Sequence, residues 1–123
     1  FKKFFTDIVI LSEKYGYQVY LKRKRILFDE EDSSYKEFLK SLLKYKCFNL
    51  LNPELNAEEL IKNAYAIIGS PFTSVPFIAK NMNKESIYYD PLNYVFKNDS
   101  NRNGVDIISG YKDLSNWLEK ISS

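Results

Sequence analysis

Ser70, Thr73 and Ser74 stand close together, directly after the apolar run Ala66-Ile67-Ile68 and its closing Gly69. Pro71 turns the chain, and an apolar helical pattern opens at Thr73 and Ser74. The first N–H groups of a helix have no intrahelical partner, and the helix dipole adds positive potential beside them. Hydroxyl side chains placed there add donors, and the small Gly69-Ser70 pair lets a ligand reach the backbone. Such a turn can cradle a phosphate or diphosphate. Ser and Thr at a helix start are also the commonest caps. The cluster alone supports both readings.

Two other groups could join such a site. Lys22, Arg23, Lys24 and Arg25 follow the strand-like YQVYL (17–21). If that strand extends, Lys22 and Lys24 face one way while Arg23 and Arg25 face the other, so only one pair can turn to a ligand. The alternative is a solvated rim. Asp90, before Pro91, can accept hydrogen bonds from a ribose or sugar hydroxyl, or simply open a turn. Tyr88 and Tyr89 alternate across a strand, so at most one reaches a site.

Much other chemistry is excluded. The 123 residues hold no histidine and a single Cys47, which removes Ser-His-Asp, Cys-His and His- or Cys-based metal chemistry. Cys47 lies in an apolar run and reads as a small buried hydrophobe. The G-x-S-x-G elbow, the P-loop lysine and the G-x-G-x-x-G fingerprint are missing. A lone Ser without a base is not an activated nucleophile. The chain is equipped to hold a phosphorylated ligand, with no metal or cofactor implied, and shows no complete catalytic centre.

Composition sets the frame for these residues. With 45% hydrophobic residues and a net charge of +2, the chain is globular and makes no case for a nucleic-acid partner. No apolar stretch approaches the roughly 20 residues that span a bilayer. The chain opens on Phe within a helical pattern, which suggests a piece excised from something longer.

The elements that position the clusters follow from periodicity. Phe4, Ile8, Leu11 and Tyr15 recur at helical spacing, with Gly16 as the stop. Ser34 and Glu37 carry a capping-box signature for a helix with Phe38, Leu39, Leu42 and Leu43 on one face. CFNLL (47–51) is a short strand, and Asn56 caps a short helix using Leu60, Ile61 and Ala64. YAIIG (65–69), SIYYD (86–90) and VDIIS (105–109) are further strands, while 91–104 is an Asn-rich surface loop. The closing helix carries Leu114, Trp117, Leu118 and Ile121.

Strand and helix alternate, and helical crossovers join parallel strands. The expected fold is one three-layer, Rossmann-like α/β domain over 1–123, with a five-stranded, mainly parallel sheet. Ligands of such sheets bind beyond the carboxyl ends of the strands. Lys22–Arg25, Gly69–Ser74 and Asp90 all fall at such ends and would share one edge.

The stretch AYAIIGSPFTSVPFIAKNMNKESIYYDP resembles the donor-binding segment of bacterial GT-B glycosyltransferases, particularly surface and capsular polysaccharide biosynthesis proteins. In these a G-x-P-x-T-S turn leads from strand to helix, and a strand reading S-I-Y-Y-D-P follows. The match runs through Gly69 to Ser74, Pro76 and Ala79, then Ser86 to Pro91. YQVYLKRKR and the closing GVDIISGYKDLSNWLEKI are similar to neighbouring segments of the same domain.

The resemblance implies the C-terminal, nucleotide-sugar-binding half of a two-domain enzyme. Its nucleotide-sugar is a substrate, not a cofactor. Ser70, Thr73 and Ser74 would contact the donor phosphates beside Gly69, Lys22 or Lys24 would neutralise them with Arg25 as a further binding candidate, and Asp90 would meet the donor. Many such sites also carry a Glu in or near this helix; residues 71–82 contain none. The acceptor and the base would come from an N-terminal half. The location implied is cytoplasmic, at the inner face of the membrane, with any membrane association made by the missing half. The rival readings are a non-catalytic, flavodoxin-like interaction or regulatory module, and a nucleotide-sugar epimerase or phosphopolyol transferase of related architecture.

Overall fold

A computed structural model describes residues 2–22, 33–52 and 54–122, which fall into two compact units divided between Leu55 and Asn56. The Asn52 turn and the Asn56 cap bracket that division.

In the first unit α1 (Lys2–Tyr15) leads to β1 (Val19–Lys22), and α2 (Ser33–Leu42) leads to β2 (Phe48–Leu51). α1 stops at Gly16, which takes a φ of +82°. The Tyr17 N–H reaches back to the Ser12 carbonyl at 2.8 Å and that of Gly16 to Glu13 at 3.4 Å. This is a Schellman closure, which needs a residue comfortable in the left-handed region. β1 and β2 pair in parallel, Val19 beside Phe48 and Lys22 beside Leu51. Val9, Leu39, Leu42, Cys47 and Phe48 form the core, with Phe5, Tyr35 and Phe38 packed on it. Two boundary expectations shift: α2 takes Ser34 into its first turn instead of using it as a cap, and Leu43 falls past the helix end, exposed.

Burial, and secondarily the nearby Glu13 carboxylate, pushes the Cys47 thiol above its ordinary pKa. The fold therefore keeps a proton that the unfolded chain releases. The associated stability is full below the ordinary thiol range and is lost as pH climbs through the raised value. Urea midpoints measured from pH 7 to pH 10 should fall more steeply for the wild type than for Cys47→Ala. Parallel slopes would refute this.

The second unit alternates α3 (Ala57–Asn63), β3 (Ala66–Gly69), α4 (Ser74–Asn81), β4 (Glu85–Asp90), β5 (Asp106–Ser109) and α5 (Gly110–Ser122). Asn56 caps α3 as expected, its Oδ1 accepting from the Glu59 N–H at 3.2 Å. The sheet order is β3-β4-β5, all parallel, with Gly69 beside Tyr88 and Asp90 beside Ser109. β4 lies in the middle, and Ser86 to Asp90 are all buried, as a parallel strand covered on both faces requires. Tyr88 and Tyr89 are therefore both core residues, on opposite faces. α4 packs on β3 and β4, and α5 buries Leu114 and Leu118.

The strands thus lie in a two-stranded and a three-stranded parallel sheet, not the expected single sheet of five. The α/β class and the parallel pairing hold and are compatible with a Rossmann-like arrangement. Alternation of strand and helix dictates parallel ladders, but it does not dictate that the second strand of one unit continues the sheet of the next. Among the described residues no helix is long and apolar enough to cross a membrane.

Candidate functional site

The β3–α4 connection is built from Ser70, Pro71, Phe72 and Thr73. The Thr73 N–H closes it on the Ser70 carbonyl at 3.2 Å. Pro71 sits second, and Phe72 sits third with a φ of +68°, the marks of a type II turn. That position normally takes Gly, and a bulky residue there costs about 1–2 kcal/mol. The Phe72 ring is offset by an edge-on contact with Tyr88, centroids 5.8 Å apart.

The start of α4 is held from three sides. Gly69 lies against the buried Pro76 ring so closely that a side chain at 69 would collide with it. The Ser86 hydroxyl donates to the Pro76 carbonyl at 2.9 Å. The buried Tyr88 hydroxyl donates to the Thr73 carbonyl at 3.2 Å, and burial holds that phenol above its ordinary pKa. Thr73 occupies the N-cap position, yet its side chain makes no cap bond. Its hydroxyl donates back to the Ser70 carbonyl at 2.7 Å. Pro76 has no N–H to offer. Among the described residues the amides of Ser74 and Val75 have no internal partner, beside the exposed Ser74 hydroxyl.

Of the residues singled out from the sequence, Gly69, Ser70, Thr73 and Ser74 are brought together here. Asp90 ends the neighbouring strand on the same, carboxyl edge of the sheet. It is buried, and its Oδ2 accepts from the Val95 N–H at 2.8 Å, so its carboxylate organises its own loop. Lys22 closes β1 in the first unit; Lys24 and Arg25 lie outside the described residues. Sequence reasoning missed Phe72, Ser86 and the Gly69–Pro76 contact. No local signal marked the first, since Pro followed by a residue other than Gly ordinarily makes an unstrained type I turn.

The sequence model of the polysaccharide biosynthesis PFTS motif protein family matches residues 1–118. Pro71-Phe72-Thr73-Ser74 reads PFTS at the turn just described. The chain belongs to this family. The match supports a role in polysaccharide biosynthesis. Comparison with curated proteins and with solved structures found no match in either. The family's tetrapeptide therefore forms the whole turn after Ser70 and the first residue of α4.

Proposed function

We propose that this chain is the nucleotide-sugar donor-binding half of a GT-B glycosyltransferase in bacterial surface polysaccharide biosynthesis. The donor diphosphate rests at the start of α4, after Gly69-Ser70-Pro71. The observation that carries this reading is the position of the PFTS tetrapeptide, which leaves the Ser74 and Val75 amides unpartnered at the carboxyl edge of a parallel sheet. Ligands of open α/β sheets bind at that edge.

Transfer of the sugar builds negative charge on the departing diphosphate. Fixed N–H dipoles stabilise such charge without reorganising, and need no metal to do so. Ser74 adds a hydroxyl donor. Thr73 acts chiefly on the turn, because its own hydroxyl is engaged with Ser70. The acceptor and the base belong to an N-terminal half, working in the cytoplasm at the inner face of the membrane. Lys22, Lys24, Arg25 and Asp90 enter the proposal through the sequence resemblance.

Titration with UDP, CMP, CDP and GDP, followed by NMR, tests the assignment. Shifts are expected around residues 69–76. Thr73→Ala with Ser74→Ala should weaken the best binder roughly tenfold, about 1.4 kcal/mol, and leave the circular dichroism spectrum unaltered. An affinity unchanged by calorimetry would remove the site. Broad or absent shifts would favour an interaction module.

A further inference from the structure

Parallel neighbours are usually joined by a helix that covers one face of the sheet. The crossover from β4 to β5 has no α-helix: residues 91–104 form a loop with one 3₁₀ turn, Ser100–Arg102. None of these residues is buried. Tyr94 and Phe96, 83 and 86% exposed, give the loop no grip on the sheet. Val95 supplies it, packing partly buried against Tyr88, Val105 and Ile107. Two bonds reach the unit beneath from mid-loop. The Val95 N–H donates to Asp90 Oδ2 at 2.8 Å, and Lys97 meets Asp113 at 3.3 Å. The second joins exposed side chains and holds little.

What lies under this single grip is polar. Tyr88 and Asp90 share one face of β4, and their neighbours Ile107 and Ser109 share the same face of β5. Val95 covers the Tyr88–Ile107 row, and its amide reaches into the last row, where Asp90 stands beside Ser109. Asp90 is 4% exposed. The Ser109 Oγ is buried and has no hydrogen-bond partner among the described residues. Sealing a hydroxyl from water without a partner costs free energy, and burying a carboxylate costs more. Lifting Val95 forfeits its apolar contacts but returns water to both groups. The two effects oppose, so opening here costs far less than unfolding the sheet.

We propose that residues 91–104 are a lid, latched by Val95 on Asp90, that opens while β3, β4 and β5 stay paired. Closed, it occludes Asp90 and Ser109 at the carboxyl edge, where ligands of open α/β sheets bind. Open, it presents a carboxylate acceptor beside a hydroxyl donor, a pair suited to a ligand hydroxyl. A ligand that pairs with Asp90 Oδ2 must displace the Val95 amide, so binding there and closure compete. The lid is a property of this sheet edge and stands whether or not the PFTS turn holds a diphosphate.

The test follows the thiol introduced by Ser109→Cys in the full chain with Cys47→Ala, which leaves no other cysteine. Without denaturant this thiol should react with iodoacetamide, well below the rate of the unfolded chain. Low urea should leave the rate unchanged, since local opening exposes little surface. Adding Val95→Gly should speed the reaction roughly tenfold, by removing the one apolar grip. A rate that rises with urea in step with global unfolding overturns the lid. So does a rate equal to that of the unfolded chain, or one indifferent to Val95→Gly. Hydrogen exchange of the wild-type chain tests the same latch without substitution. The Val95 amide should exchange through a local step, far faster than the amides of β4; equal protection overturns the lid as well.

Discussion

Gly69→Ala is expected to destabilise the chain by about 1–3 kcal/mol, the usual range for overpacking, and to displace the start of α4. The added Cβ would stand 2.8 Å from Pro76 Cδ, closer still to Cγ, and 3.0 Å from Thr73 Oγ1. A proline ring cannot rotate away as a long side chain can. This one is buried, and its carbonyl is held by Ser86. The requirement at Gly69 is for space and not for an unusual backbone angle, so strand and helix must part to admit the methyl. Thermal melting should drop by several degrees, and Pro76→Ala in the same chain should recover part of the loss by removing the ring. A single variant that melts with the wild type would disprove the contact.

Asp90→Ala should rank next. It takes away the charged acceptor of the Val95 N–H, a hydrogen bond of the kind worth about 1.5–3 kcal/mol, and leaves that amide half-buried. The loss is expected to be local. Hydrogen exchange and proteolysis should accelerate over residues 91–99 while the β3 and β4 amides keep their protection. Asp90→Asn, which retains an acceptor, should fall between. Wild-type exchange at Val95 in Asp90→Ala would contradict the anchoring role.

These residues also mark how far the sequence could be read. SIYYD was legible as a strand of a mainly parallel sheet, because aromatic and β-branched residues favour strands and helices flank it on the pattern. Gly16, Asn56 and Thr73 were legible as helix boundaries, since each boundary is decided within a few neighbouring residues. The number of sheets was not, because β2 and β3 are four residues each and their ladders depend on partners far along the chain. Asp90 was read as a group that could face a sugar or open a turn. Its bond to Val95 exists only once the loop has folded back. The two serine/threonine hydroxyls looked alike in sequence and are not: Thr73 bonds Ser70, and Ser74 is left open. The stretch 91–104 was legible as a surface loop, but nothing in the string showed that Val95 would turn inward between Tyr94 and Phe96.

The ring at position 76 has a last effect, on valency. Most helices leave three backbone hydrogens open after the cap; α4 leaves two, since its third residue carries none. A two-pronged grip suits the paired oxygens of one phosphoryl group and is indifferent to what is attached beyond it. Under the proposed donor-binding reading, choice among nucleotides or sugars falls to other parts of the protein.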